Sequence, residues 1–115
     1  MKKLSEWHRA DSADAELLRR CKRELTEAVG PVEVILYGSR ARQEVAWDRD
    51  MDLLVLLPGP VTKPLRARID EKLLDIEMDA EVAISSIVMD ESEFDPDQDG
   101  STPWSRNVGR EGVVA

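Results

Sequence analysis

Apolar residues in the first third of the chain recur with a period near 3.6. Leu17, Leu18, Cys21, Leu25 and Ala28 fall on one stripe, the spacing of an amphipathic helix. Asp11 or Ser12 can cap its start. Gly30-Pro31 ends it, because glycine turns left-handed freely and proline cannot continue a helix. The pattern then changes. Residues 32–37 read as a strand, 38–44 as a turn leading into a short helix, and 45–50 as a loop. Residues 51–57 are apolar at every position after Asp52, as in a strand buried on both faces.

Pro58-Gly59-Pro60 is a hard break. A second helix is predicted over 62–78, with Pro64 in its first turn, where a missing N–H costs nothing. Leu65, Ile69, Leu73 and Ile76 form its buried stripe; Arg66, Arg68, Glu71 and Lys72 form its solvated face. Residues 80–89 read as a third strand and the acidic stretch 90–100 as a linker or mobile loop. A short closing helix over 103–112 stops at Gly112. Residues 1–10 are polar and are expected to form a loose arm, leaving 11–115 as one domain. The order α-β-α-β-α-β-α predicts an α/β fold, a small mixed β-sheet with helices packed against it.

Composition narrows the function. The chain has 115 residues, 42% hydrophobic and 35% charged, with 24 acidic against 16 basic residues and a net charge of −8. That balance argues against a general nucleic-acid-binding role, which needs a basic stripe. It leaves open a nucleotide, whose phosphates can be received by metal and backbone N–H groups, and a basic protein partner. Cys21 is the only cysteine, so neither an intrachain disulfide nor a cysteine zinc site is expected. No apolar run reaches the ~20 residues that cross a bilayer, and no signal peptide is visible after Met1. No membrane association is expected, and a cytoplasmic location is.

Candidate chemistry gathers where two apolar runs meet. Gly38-Ser39 closes the first strand, and Asp50-Met51-Asp52 opens the second after ten intervening residues, Arg40 to Arg49. Residues i and i+2 of a strand project from the same face, roughly 6–7 Å apart. Two carboxylates so placed can hold Mg²⁺, a hard cation that prefers oxygen ligands. Gly38 lacks a Cβ and lets phosphate oxygens approach the backbone. Ser39 offers a hydroxyl and an N–H, and a helix start behind the turn favours anions. A D-x-D pair or a Gly-Ser turn alone is commonplace. In strand–GS–helix–loop–DxD–strand order they point to a nucleoside triphosphate.

With these residues the chain resembles the nucleotidyltransferase superfamily of DNA polymerase β type. It resembles most the minimal nucleotidyltransferases (MNT), small domains that carry G-S-x10-D-x-D. Tyr37-Gly38-Ser39-Arg40-Ala41-Arg42 is similar to the family's Y-G-S-R-A-R turn, and Pro103 to Gly112 is similar to a tail found in one MNT branch. Gln43 stands where glycine is common and Arg49 where serine is common. The resemblance implies a polymerase-β-like fold, two Mg²⁺ ions, ATP as substrate and a third carboxylate on a neighbouring strand. Glu81 is the candidate for that ligand and Asp79 its rival. It also implies transfer of AMP to a hydroxyl, and a partner: such domains act as antitoxins that adenylylate a tyrosine of a HEPN RNase toxin.

Weaker signals stay open. Arg40 can contact the triphosphate; Arg42 can do the same or lie solvated. Trp47 can stack on adenine or pack within its loop. His8 reads as inert and Cys21 as core. Arg106, Asn107 and Glu111 hold the tail to the domain or meet a partner. Two rival functions remain. One is a non-catalytic module that masks its partner; the other is an antibiotic-modifying nucleotidyltransferase, for whose added helical domain 115 residues leave little room.

Overall fold

The computed structural model describes residues 1–42, 50–97 and 102–115. Helix α1 (Ala13–Val29) starts at Ser12, whose side chain accepts the Ala15 N–H at 3.2 Å. It ends at Gly30, where φ is +91°. Strands β2 (Glu33–Tyr37) and β3 (Met51–Leu57) run antiparallel, with Tyr37 opposite Asp52. Helix α2 (Lys63–Ala80) begins at Thr62, which accepts the Leu65 N–H, and carries Pro64 in its first turn. Strand β4 (Ile84–Asp90) pairs parallel with β3, placing Ser85 opposite Asp52. Helix α3 (Pro103–Glu111) closes the chain.

Two elements were not foreseen. Lys2–Lys3 (β1) and Val113–Val114 (β5) are two-residue strands that pair parallel to each other. Strand β5 also pairs antiparallel with β2, so the five-stranded mixed sheet runs β1-β5-β2-β3-β4. The expected loose arm is therefore built into the fold. Lys2 N–H donates to Gly112 O at 3.0 Å, and Leu4 and Trp7 are buried. Its two apolar side chains cover the sheet and α1 cluster, which outweighs the polarity of their neighbours.

The sheet separates two apolar clusters. Leu18 and Leu25 of α1 and Ile69 and Ile76 of α2 pack with Val34, Leu36, Leu53 and Val55. On the other face, Val108 of α3 packs with Ile35, Leu54 and Leu56. Strand parity puts Tyr37 and Asp52 on the α3 face, in line with Ile35 and Leu54. The site therefore lies between the end of the β2–β3 pair and α3.

The third strand was expected from residue 80, but α2 runs on to Ala80. Glu81 follows it in the left-handed region (φ 56°, ψ 39°), and β4 starts only at Ile84. Residues 39–42 form the expected turn, held by Ala41 N–H and Arg42 N–H donating to Gly38 O. Gln43, Trp47, Arg49 and the rest of the expected short helix and loop lie outside the described residues.

Candidate active site

A cleft of about 570 Å³ opens beside Gly38. Gly38 and Ser39 form one end, with Arg42 beside them; Asp50 and Asp52 form the floor; Trp104, Asn107 and Glu111 of α3 form the wall. The structure thus brings together seven of the residues singled out in the sequence: Gly38, Ser39, Arg42, Asp50, Asp52, Asn107 and Glu111.

Gly38 is required here twice over. Its φ of +78° lies in the left-handed region that side chains disfavour. A Cβ on it would also stand 2.3 Å from Asp52 Oδ2. The turn and the DxD strand are packed that closely because Tyr37 and Asp52 are register partners, so the residue after Tyr37 passes over the Asp52 side chain. Ser39 is buried at 5% exposure yet lines the cleft.

The two aspartates differ in environment. Asp50 is exposed, one residue ahead of β3, whereas Asp52 is half-buried within it. Burial raises the proton affinity of Asp52 above the ordinary carboxylate range, and the neighbouring Asp50 charge raises it further. Arg42 and Arg40 oppose this, and Glu111 adds to it. Two crowded carboxylates, one partly desolvated, form a donor set that a hard divalent cation relieves. On that ground Asp50 and Asp52 fit such an ion. Among the described residues no three His, Cys, Asp or Glu side chains are grouped so as to hold a metal.

Glu81 and Asp79 do not line the cleft. Glu81 is exposed at the end of α2, and Asp79 pairs with Arg20 of α1. The strand positions beside the DxD pair are taken by Ile84 and Ser85. Arg40 is the arginine expected to contact the triphosphate. Its guanidinium meets Asp14 of α1 at 2.8 Å, with both side chains largely buried, and it ties the turn to the helix rather than lining the cleft. Arg42 is the arginine at the cleft. His8 packs edge-on against Trp7 at 5.8 Å, remote from the cleft. Cys21 is buried, and burial pushes its thiol up to about 12.

In the sequence Asn107 and Glu111 read as holding the tail to the domain or meeting a partner, not as part of a wall of the cleft. Trp104, Asn107, Val108 and Glu111 are spaced i, i+3, i+4, i+7, which is one helical face, and buried Val108 aims that face at the sheet. That spacing was the available signal. Trp104 stands edge-on to Tyr37 (5.8 Å, 88°) and to Phe94 (6.1 Å, 68°). Glu111 reaches furthest: its Oε1 accepts the Gly38 N–H at 3.1 Å and its Oε2 accepts Arg42 Nη1 at 2.9 Å. The cleft so built presents phosphate-type donors at one end and cation-type acceptors on its floor. Such a surface can receive a polyphosphate bridged to a divalent ion.

The family model described as a nucleotidyltransferase domain matches residues 18–97. No curated protein and no solved structure matches the chain.

Proposed function

Because the chain belongs to the nucleotidyltransferase domain family, we propose that it moves AMP from ATP to a hydroxyl, first of all a tyrosine, on a partner protein. The observation that carries this reading is the convergence of Gly38-Ser39 and Asp50–Asp52 on one cleft, close enough for a side chain on Gly38 to collide with Asp52. Masking a partner or binding an unrelated ligand does not require that arrangement.

In this mechanism the Gly38–Ser39 turn and Arg42 bind the β- and γ-phosphates. Asp50 and Asp52 hold divalent metal, Mg²⁺ in the cell, which when bound screens the phosphate charge and supports an in-line displacement. The acceptor oxygen attacks the α-phosphorus, the bond to the β-phosphate bridging oxygen breaks, and pyrophosphate leaves while the hydroxyl proton passes to solvent. No His, Cys or Lys lies between Gly38 and Asp52 to serve as a covalent relay, so transfer is direct. The partner has to present its own hydroxyl, since orientation supplies a large share of the rate in such transfers. The resemblance to MNT proteins supports a HEPN-type RNase toxin as the partner and an antitoxin role for this chain.

One observation favours the masking alternative. Ser85, not a carboxylate, stands opposite Asp52 on β4. The test separates the two readings. Intact mass spectrometry of the chain with the product of its neighbouring gene and Mg-ATP is expected to show AMP added to the neighbour, and none with Asp50→Asn or Asp52→Asn. Calorimetry is expected to show ATP bound far more tightly with Mg²⁺ than in EDTA. An unmodified complex that silences the neighbour, with wild type and both variants alike, assigns the function to masking.

A further inference from the structure

Glu111 is held as an incoming anion would be. Its carboxylate takes one hydrogen bond from a backbone N–H in a left-handed glycine turn and one from a guanidinium. Charge-assisted bonds of this kind, a backbone amide plus an arginine, are the usual way a phosphate oxygen is received. Both donors face the cleft that also holds Asp50 and Asp52. The Glu111 side chain is only 17% exposed, so it fills that position rather than waving past it.

We infer that Glu111 occupies the seat of a substrate phosphate and that a polyphosphate must displace it to engage Gly38 and Arg42. The inference concerns the regulation of the proposed nucleotide site and rests on that reading for its physiological meaning. The seat lies within residues 18–97, where the family model matches, but the plug lies outside them on α3. Release needs only side-chain rotation. Val108 and Val113 stay buried on either side of Glu111, and β5 remains paired with β2 and β1.

The measurement follows the Gly38 amide by NMR in ¹⁵N-labelled protein titrated with inorganic triphosphate in EDTA. Glu111→Gln keeps the shape but weakens the clasp, and Glu111→Ala removes it. Both are expected to bind triphosphate about tenfold more tightly or better, the equivalent of one charge-assisted hydrogen bond. In wild type, the Gly38 amide signal is expected to move at saturation to the position seen in liganded Glu111→Ala. Asp50→Asn is the control, because it removes the same charge from the cleft and leaves the clasp intact; its gain is expected to stay below about threefold. If Glu111→Ala fails to fold, Glu111→Gln decides alone. Variants that bind no tighter than wild type, or that gain no more than Asp50→Asn, overturn the proposal. If triphosphate behaves as expected while wild type ignores Mg-ATP, the anion seat stands and the nucleotide reading falls.

Discussion

At the scale of single residues, the site depends on a glycine that cannot be replaced for two separable reasons. Gly30 and Gly38 both adopt positive φ, +91° and +78°. A Cβ on Gly30 meets nothing within 4 Å, whereas one on Gly38 meets Asp52 Oδ2 at 2.3 Å. Alanine at either position therefore carries a positive-φ penalty of about 1–3 kcal/mol, and only Gly38→Ala also displaces a floor carboxylate. Urea denaturation is expected to show both losses, while calorimetry shows Mg-ATP binding retained in Gly30→Ala and abolished in Gly38→Ala. Equal binding in the two variants would detach the Gly38–Asp52 contact from function. Glu81 illustrates the converse, a non-glycine residue at φ 56°. Its left-handed conformation ends α2 and lifts its carboxylate off the strand on which alternation alone would have placed it. Sequence patterning assigns such a position to a strand because left-handed glutamate is rare.

At the scale of elements, legibility followed length. Helices α1 and α2 announced themselves through five- and four-member apolar stripes and through Ser12, Gly30 and Pro64 at their ends. Strands β2 and β3 were bounded by the Gly38-Ser39 turn and the DxD pair. Strands β1 and β5 were not legible, because two residues contain no period and their pairing joins Lys2 to Val113 across the whole chain. Glu111 and Gly38 are likewise separated by 73 positions, and only the fold brings the carboxylate to the turn. Helix α3 was read as an element but not as a wall, since its role depends on which surface it lands upon. Its anchor is Val108, fully buried against Ile35, Leu54 and Leu56. Val108→Ala is expected to cost about 2 kcal/mol, from lost burial and the cavity left behind. It is also expected to speed amide exchange in α3 more than in α1 or α2. A uniform acceleration throughout the chain would mean that α3 has no independent hold on the cleft.

At the scale of the whole molecule, an acidic chain gathers part of its charge in one cleft. The net charge is −8, and Asp50, Asp52 and Glu111 line a single cleft. Burial and then Asp50 raise the proton affinity of Asp52 above that of an unfolded aspartate. A carboxylate whose folded pKa is raised stabilises the fold when protonated and costs stability once pH rises through that value. At neutral pH Asp52 is therefore a cost that folding carries, and two changes lift it. Asp52→Asn removes the charge, and a bound divalent ion neutralises it. In EDTA, Asp52→Asn is expected to melt above wild type. With Mg²⁺ at ten times its dissociation constant, wild type is expected to gain about 1.4 kcal/mol, a rise in Tm of roughly 5 °C for a domain of this size. The variant is expected to gain far less, because the ligand that makes the ion worth binding has gone. Scanning calorimetry of both proteins, with and without Mg²⁺, closes this cycle. A wild-type Tm indifferent to Mg²⁺, or a variant that melts below wild type in EDTA, would mean that the floor aspartates are held for the fold and not for a metal.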